Sequence, residues 1–136
     1  MSPPNSDERF GGIARLYGAD ALFRFEAAHV AVVGIGGVGS WAAEALARSG
    51  IGEITLVDLD DLCITNTNRQ IHATSTMVGR PKVAVMADRI REINPAAKVH
   101  ELDANVQHAM DFESELAQHS SRIDKELGTQ LIGRHH

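Results

Sequence analysis

Cysteine and basic charge are both scarce in this 136-residue sequence. The single cysteine, Cys63, excludes an intramolecular disulfide and a cysteine-cluster metal site, and it favours a reducing compartment. The formal net charge of −5 argues against broad electrostatic coating of nucleic acid, because phosphate-binding surfaces are usually basic stripes. An acidic chain can still handle RNA through a local patch, so the charge lowers that expectation without excluding it.

Long apolar runs are also lacking. The longest, over residues 29–38, is interrupted by glycines and is far shorter than the roughly 20 residues that a membrane-spanning helix needs. The first nine residues are polar and include Pro3 and Pro4, unlike the apolar middle of a signal peptide. These absences predict a cytoplasmic protein, and the ordinary hydrophobic content of 43% fits a single globular domain.

Alternating strand and helix patterns predict an α/β fold. A buried strand is expected over 30–33, an apolar, β-branched strand over 53–58 and an alternating strand over 98–102, with helices over 40–49 and from Pro81 to Pro95 between them. This order is the first βαβαβ half of a Rossmann-like, doubly wound parallel sheet. A short N-terminal helix over 19–28 precedes it. The predicted organisation is a disordered lead over 1–8, the Rossmann-like domain over 9–105 and a polar helical tail over 106–136, with Ile123, Leu127 and Leu131 at four-residue spacing.

A glycine-rich loop joins the first predicted strand to the first crossover helix, and its glycines are Gly34, Gly36, Gly37 and Gly39. In this context the glycines permit a tight turn, close approach of phosphate and close packing of helix on strand. The start of the following helix offers free N–H groups and a partial positive charge to an anion. Asp58 lies 19 residues after Gly39, where a ribose-binding carboxylate is expected. The loop therefore predicts a nucleotide site but leaves NAD and ATP open.

The polar segment between Asp58 and Lys82 favours ATP. A dehydrogenase commonly continues from this strand into an ordinary helix, whereas this chain has an irregular stretch that carries two cations, Arg69 and Lys82. Adenylate formation needs such cations, because negative charge gathers on the α-phosphate as pyrophosphate leaves. Taken singly, each cation is more often a solvated surface charge, and Asn66 and Asn68 are more often turn formers. No catalytic His or Tyr–Lys arrangement accompanies the loop to support an NAD-dependent oxidoreductase.

These motifs together resemble the nucleotide-binding core of the ubiquitin-activating-like superfamily, which includes ThiF, MoeB and HesA. The resemblance runs through VVGIGGVGSWAAEALARSGIGEITLVDLDDLCITNTNRQIHA. It is closest to the tRNA threonylcarbamoyladenosine dehydratase branch, on the evidence of RFGGIARLYGADAL upstream and VGRPKVAVMADRIREINP downstream. The similarity covers about residues 9–102, the N-terminal half of the family. It is highly specific, because the glycine loop, the acid, NTNRQ and the later lysine keep their order.

The resemblance implies a role for each matching residue. The loop glycines would wrap the ATP phosphates, and Asp58 would bind the ribose hydroxyls with Asp60 nearby. Lys82 would contact the α-phosphate and, together with Arg69, act as a catalytic group. The phosphate site would be lined by Asn66, Arg69 and Gln70.

ATP and magnesium are the implied cofactors. No magnesium ligand is identified, because family members place an acidic motif after a further strand, and the nearest acids here are Asp103 and Asp111. The implied assembly is a homodimer in which an arginine from the neighbouring subunit completes the site. The candidates for that arginine are Arg9 and Arg15.

The implied reaction is ATP-dependent activation of the carboxylate of N6-threonylcarbamoyladenosine in tRNA, with ring closure and loss of water. The residues alone do not select tRNA over a protein substrate. Two alternatives stay open. One is adenylation of the C-terminus of a ubiquitin-like sulfur-carrier protein, with a sulfur-relay partner, and the other is a non-catalytic nucleotide-binding remnant. The tail from Val106 onward does not resemble the family, so a fragmentary or truncated form is expected.

Three further residues receive simpler interpretations. Trp41 is predicted to be a packing residue of the first crossover helix rather than a base-stacking platform. Cys63 is predicted to be a small buried hydrophobe rather than a nucleophile. His72 is predicted to be a loop histidine rather than a phosphate ligand.

Overall fold

The computed structural model describes residues 6–105 and, beyond them, residues 107, 111, 114, 117 and 118. The chain divides into two compact units, Met1–Asn105 and Val106–His136. In the second unit, the described residues are helical, and the Gln107 amide donates a hydrogen bond to Asp111 Oδ1 at 3.3 Å. The predicted apolar stripe of Ile123, Leu127 and Leu131 lies outside the described residues.

The first unit contains a parallel three-stranded sheet. Its strands are β1 (His29–Val33), β2 (Glu53–Val57) and β3 (Lys98–Leu102), in the spatial order β1-β2-β3. The register aligns His29 with Glu53 and Glu53 with Lys98. The predicted Rossmann-like half-sheet is therefore confirmed, and each strand begins and ends within one residue of its predicted bounds.

Four α-helices accompany the sheet: α1 (Ser6–Tyr17), α2 (Ala19–Ala27), α3 (Gly39–Arg48) and α4 (Lys82–Ile93). Helix α1 begins at Ser6, so residues 6–8 are helical, whereas the predicted disordered lead ran over 1–8. Residues 1–5 of that lead lie outside the described part. Its sequence contains Gly11 and Gly12, which obscure the helical pattern, and it is kinked at Phe10, whose buried ring packs beneath Gly50. Two short 3₁₀-helices, Ile64–Asn68 and Ser75–Met77, occupy the segment predicted to be irregular.

The hydrophobic core lies between one face of the sheet and the two crossover helices. Successive strand side chains alternate between faces, so Val32, Ile54 and Leu56 point together into this layer. Helices α3 and α4 meet them with Ala43, Ala47, Val83, Met86, Ala87 and Ile90. On the opposite face of β1, Ala31 and Val33 are exposed. Because both crossovers cover the same face, the carboxyl ends of the strands are left free to present loops.

Within the part of the chain that the structure describes, no helix has the length and apolar character needed to cross a membrane.

Candidate functional site

The glycine loop leaves the carboxyl end of β1 in a tight turn that only glycine permits. Gly34 has φ +92°, in the left-handed region, and its N–H donates to the Val57 carbonyl at 2.8 Å, which ties the loop to β2. A Cβ added at Gly39 would lie 1.6 Å from the Gly34 carbonyl oxygen. These two positions therefore bring the first turn of α3 against the end of the strand.

The start of α3 presents free hydrogen-bond donors. Among residues 6–105, no group accepts a hydrogen bond from the N–H of Gly36, Gly37, Val38 or Gly39. The Gly36 carbonyl, in contrast, is satisfied, since it accepts from both the Ser40 N–H and the Ser40 hydroxyl. Four free N–H groups at the positive end of a helix dipole form a site for an anion.

Asp58, at the end of β2, anchors this loop. Its Oδ2 accepts a hydrogen bond from the Ile35 N–H at 2.7 Å, and its Oδ1 accepts one from the Asp60 N–H at 2.8 Å. Asp60 is exposed, and its carbonyl accepts from the Lys82 N–H at 3.0 Å. Asp58 therefore joins the glycine loop to the segment that leads to α4. Each of its oxygens has a second lone pair, so the predicted ribose contact remains chemically open.

The side chains of Arg69 and Gln70 lie close to the glycine loop. A Cβ on Gly37 would lie 3.5 Å from the Arg69 Cγ and Cδ atoms, and a Cβ on Gly36 would lie 3.8 Å from Gln70 Nε2. The exposed Arg69 guanidinium donates to the Thr65 carbonyl and to Asn68 Oδ1. Gln70 Oε1 is buried and receives no hydrogen bond from any described residue. The fold thus brings together two residues that the sequence assigned to the phosphate site.

Asn66 shapes the turn that presents Arg69 and Gln70. Its side chain is buried, and Oδ1 accepts from the Cys63 N–H at 2.9 Å. Its carbonyl accepts from the N–H groups of both Arg69 and Gln70. Asn66 is therefore a turn former in this structure, and the contact that the resemblance assigns to it with phosphate stays a prediction for its amide nitrogen.

Lys82, the first residue of α4, is largely buried. Only 7% of the residue is exposed, and its ammonium forms neither a hydrogen bond nor an ion pair with any residue that the structure describes. The ammonium nitrogen is not among the buried atoms that lack a partner, so it is the accessible end of an otherwise buried side chain. An ammonium without a protein partner, on a helix that Asp60 and Asp58 tie to the glycine loop, is available to an anion.

His72 lies in a loop, as predicted, but its ring is almost fully buried at 2% exposure. Neither ring nitrogen has a hydrogen-bonding partner among the described residues. Burial, with the positive charge of Lys82 as a second cause, lowers the pKa of His72 to about 4, so the ring is neutral at pH 7. His72 follows Asn68-Arg69-Gln70 closely in the sequence, but no local sequence signal predicts that its ring is buried.

One sequence prediction near the site is wrong. Cys63 is exposed rather than buried, because it caps a 3₁₀-helix, and its sulfur accepts a hydrogen bond from the Thr65 hydroxyl. The thiol pKa is lowered, first by that hydrogen bond. Trp41, predicted to be a packing residue, is 52% exposed, and its indole N–H donates to the Arg69 carbonyl at 2.7 Å. Trp41 therefore helps to hold the Arg69 turn against α3.

Four further predicted residues are two arginines of α1 and two acids that follow β3. The Arg9 guanidinium donates to the carbonyl of Ile93, the last residue of α4, at 3.3 Å, and Arg15 lies near the end of α1. Asp103 directly follows β3, and Asp111 belongs to the second unit. Action of either arginine across a dimer interface, and metal binding by either acid, stay predictions.

Comparison with known families explains this combination of glycine loop, acid and cations. The sequence model of the ThiF family matches residues 12–124. The chain belongs to the ThiF family. The match ends well beyond residue 102, so it extends into the segment that was predicted not to resemble the family.

Individual ThiF-type relatives agree with this assignment. The chain is 67% identical over 96 residues to the tRNA threonylcarbamoyladenosine dehydratase of Escherichia coli, a match that covers 71% of this chain and 36% of that protein. It is 36% identical over 108 residues to the molybdopterin-synthase adenylyltransferase of Salmonella typhimurium, covering 79% and 36% of the two chains. The predicted resemblance to the dehydratase branch is therefore confirmed.

A solved structure supports the same ThiF-type fold. The crystal structure of E. coli tRNA N6-threonylcarbamoyladenosine dehydratase in complex with ATP superimposes with a TM-score of 0.81 at 57% sequence identity. The superposition covers 84% of this chain and 48% of that one. The chain thus spans roughly a third to a half of the length of the relatives that it matches.

Proposed function

We propose that this chain is the ATP-binding part of a carboxylate-adenylating enzyme whose substrate is tRNA that carries N6-threonylcarbamoyladenosine. One observation carries the proposal: Lys82, whose ammonium has no partner among the described residues, is tied through Asp60 and Asp58 to the loop that presents four free backbone N–H groups. The identity of 67% to the E. coli dehydratase and the ATP in the superimposable crystal structure support the choice of nucleotide and substrate.

The residues around the loop fit a nucleotide. The free N–H groups of the loop and the Lys82 ammonium need acceptors, which phosphate oxygens supply. The buried Gln70 Oε1 needs a donor, which a ribose hydroxyl or an adenine amine supplies. Asp58, which is already held by Ile35 and Asp60, retains acceptor capacity for the ribose hydroxyls, with Asp60 beside it.

ATP supplies an activated α-phosphate to which a carboxylate becomes attached as pyrophosphate departs. In the proposed reaction, Arg69 and Lys82 stabilise the negative charge on that phosphate. Arg69 offers a planar fork of donors, whereas Lys82 offers a point charge that is partly shielded from water and therefore acts more strongly than an exposed lysine. Asn66 and Trp41 position the Arg69 turn. Magnesium is proposed to accompany the ATP phosphates, and no residue of this chain is assigned to it.

The proposed assembly is a homodimer, with Arg9 or Arg15 reaching the site of the partner. A second candidate function is adenylation of the C-terminus of a ubiquitin-like sulfur-carrier protein, with a sulfur-relay protein as partner. The identity of 36% to a molybdopterin-synthase adenylyltransferase favours it over more distant chemistries. A non-catalytic nucleotide-binding remnant is the third, because no residue of this chain is assigned to magnesium.

Calorimetry with ATP, AMP and NAD, with and without magnesium, tests the proposal. ATP is expected to bind in preference to NAD, and Lys82→Ala is expected to weaken ATP binding about 100-fold because a buried charge contact is lost. Lys98→Ala is the matched control, since it removes an exposed lysine at the start of β3. Equal ATP affinity for both variants would contradict the assigned role of Lys82.

Pyrophosphate exchange then separates the candidate functions. Exchange that depends on tRNA carrying threonylcarbamoyladenosine supports the dehydratase reaction, and exchange that depends on a carrier protein supports the second candidate. ATP binding without exchange in the presence of either substrate indicates the remnant.

A further inference from the structure

A second cluster of reactive side chains lies near the amino end of the sheet. It consists of His29 on β1, Glu53 on β2 and His100 on β3. The parallel register aligns His29 with Glu53, and it aligns Thr55 with His100, so all three side chains share one face of the pleated sheet. His29 lies five residues before Gly34, about 16 Å along an extended strand. The cluster is therefore separate from the proposed ATP site.

The ligand atoms of this cluster converge on one point. His100 Nε2 lies 2.6 Å from Glu53 Oε2, and His29 Nδ1 lies 3.9 Å from the same oxygen. One nitrogen or oxygen from each residue falls within 4.8 Å of the others. Their side chains are between a third and a half exposed, so an ion can reach them from solvent.

The fourth neighbour, Thr55, orients His29. The Thr55 hydroxyl lies 2.6 Å from His29 Nε2 and is fully buried beneath the cluster. This contact occupies one ring nitrogen and turns the other, Nδ1, towards Glu53. Metal-binding histidines are normally held in this way, by a hydrogen bond from the nitrogen that does not bind the metal.

We propose that His29, Glu53 and His100 bind a zinc ion. Two imidazole nitrogens and one carboxylate oxygen form a donor set that zinc accepts, whereas magnesium and calcium prefer oxygen ligands alone. Tetrahedral zinc places its ligand atoms about 3.3 Å apart. The 2.6 Å pair must open and the 3.9 Å pair must close, each by less than about 1 Å. The two histidine nitrogens, which lie within 4.8 Å of each other, must approach by up to about 1.5 Å through rotation of the partly exposed side chains. Three protein ligands leave a fourth position for water.

The competing interpretation is a hydrogen-bonded ion pair without metal. The hydrogen bond from His100, ahead of the charges of His29, His100 and Lys98, lowers the pKa of Glu53. A carboxylate that is already ionised suits both interpretations, so metal binding itself must be measured. Lys98 acts on Glu53 only through its positive charge, and that charge opposes the binding of a cation at this site.

The experiment titrates zinc chloride into the full chain by calorimetry and records the absorption of the cobalt(II) form. The starting chain carries His135→Ala and His136→Ala, because two adjacent C-terminal histidines are an independent zinc ligand pair. One zinc per chain and a tetrahedral cobalt spectrum are expected. Loss of a hydrogen-bonded partner of a ligand typically weakens metal binding 10- to 100-fold, so Glu53→Gln and His100→Ala are expected to weaken it by more than about 100-fold.

Two further variants keep the result interpretable. Thr55→Val, which retains all three ligands, is expected to weaken zinc binding by about 10- to 100-fold. Lys98→Gln, on the same strand as His100, is expected to leave the affinity unchanged or raise it, because a repelling charge is removed. Far-ultraviolet circular dichroism checks that each variant is folded.

The proposal is overturned if the starting chain binds no zinc. It is equally overturned if the Glu53 and His100 variants bind zinc as tightly as the starting chain, since the ion then lies elsewhere. Weakening by Lys98→Gln to the same extent as by the ligand variants would also contradict it.

Discussion

Lys82 and Glu44 are both buried charged residues on the crossover helices, but their surroundings differ. Glu44, on α3, is 5% exposed and accepts two hydrogen bonds from Arg89 of α4 and one from Arg48. Lys82, at the start of α4, is 7% exposed and has no charged or hydrogen-bonded partner within the described residues. The same pair of helices therefore contains one charge that is paired within the protein and one that has no partner among the described residues.

The difference teaches how structure and function are divided in this chain. Burial alone would raise the pKa of Glu44, but the hydrogen bonds and charges of Arg89 and Arg48 together lower it, so the anion is stable where it lies. This cluster clamps α3 to α4. Near the glycine loop, in contrast, Gln70 Oε1 and both ring nitrogens of His72 are buried without such partners among the described residues. Polar groups left unpaired at one end of a well-satisfied fold indicate a binding site.

The largest expected change in the free energy of unfolding comes from a substitution in the glycine loop. Gly39→Ala would place a Cβ 1.6 Å from the Gly34 carbonyl oxygen, so helix and strand must separate. We expect the free energy of unfolding, measured with urea, to fall by more than about 4 kcal/mol, or the variant not to fold. Gly37→Ala is the control, because its Cβ would meet only the Arg69 side chain at 3.5 Å. Similar stability of the two variants would contradict this account.

The next effect is a pH dependence caused by the unpaired His72. Its folded-state pKa of about 4 lies below the ordinary value of 6.5. Between pH 4 and pH 6.5, His72 binds a proton more readily in the unfolded chain than in the folded one. The folded state is therefore most stable, as far as His72 is concerned, above pH 6.5, and it loses stability as the pH falls to 4. The full difference amounts to about 3 kcal/mol.

The measurement for His72 is the slope of unfolding free energy against pH, compared between the parent and His72→Gln. The variant is expected to lose the slope between pH 6.5 and 4.5, whatever its absolute stability. Glu44 contributes in a lower range, because its pKa is lowered and its stabilisation is lost only as the pH falls below about 4.5. An unchanged slope in His72→Gln would show that the ring is not buried.

A smaller effect is expected from the paired charge itself. Glu44→Gln removes the anion that Arg89 and Arg48 share, and both arginines remain partly exposed to water. We expect a loss of about 2 kcal/mol in urea unfolding, less than for a fully buried pair. Arg48→Ala is the control and should change stability by less than about 0.5 kcal/mol, because its partner keeps Arg89. A larger loss of stability for Arg48→Ala than for Glu44→Gln would contradict the assignment of Glu44 as the central charge of this cluster.

The smallest effect on stability is expected for Lys82→Met, in contrast to Glu44→Gln. Lys82→Met removes an ammonium that has no ion pair or hydrogen bond with the described residues, so the free energy of unfolding should change by less than about 1 kcal/mol. The same variant should bind ATP much more weakly. A fall in stability of more than about 1 kcal/mol would mean that Lys82 is a structural residue like Glu44.

Much of the fold was predictable because its signals are local. Apolar β-branched runs predict β1 and β2, and the alanine-rich composition predicts α3. The Gly34-to-Gly39 spacing, with a strand before it and a helix after it, predicts the loop. The same signals failed at α1, whose helical pattern is interrupted by two glycines, and at Cys63, whose exposure depends on the 3₁₀-helix that it caps.

The sequence by itself determined the strand–helix order, the glycine turn and the kinds of residue available to a nucleotide. Only the tertiary structure decided which charges are paired and which side chains meet. Glu44 and Arg89 are 45 residues apart, and His29 and His100 meet only because three strands align in one register. Periodicity reports the face on which a residue lies, but pairing depends on how separate elements are placed in space, which no local pattern contains.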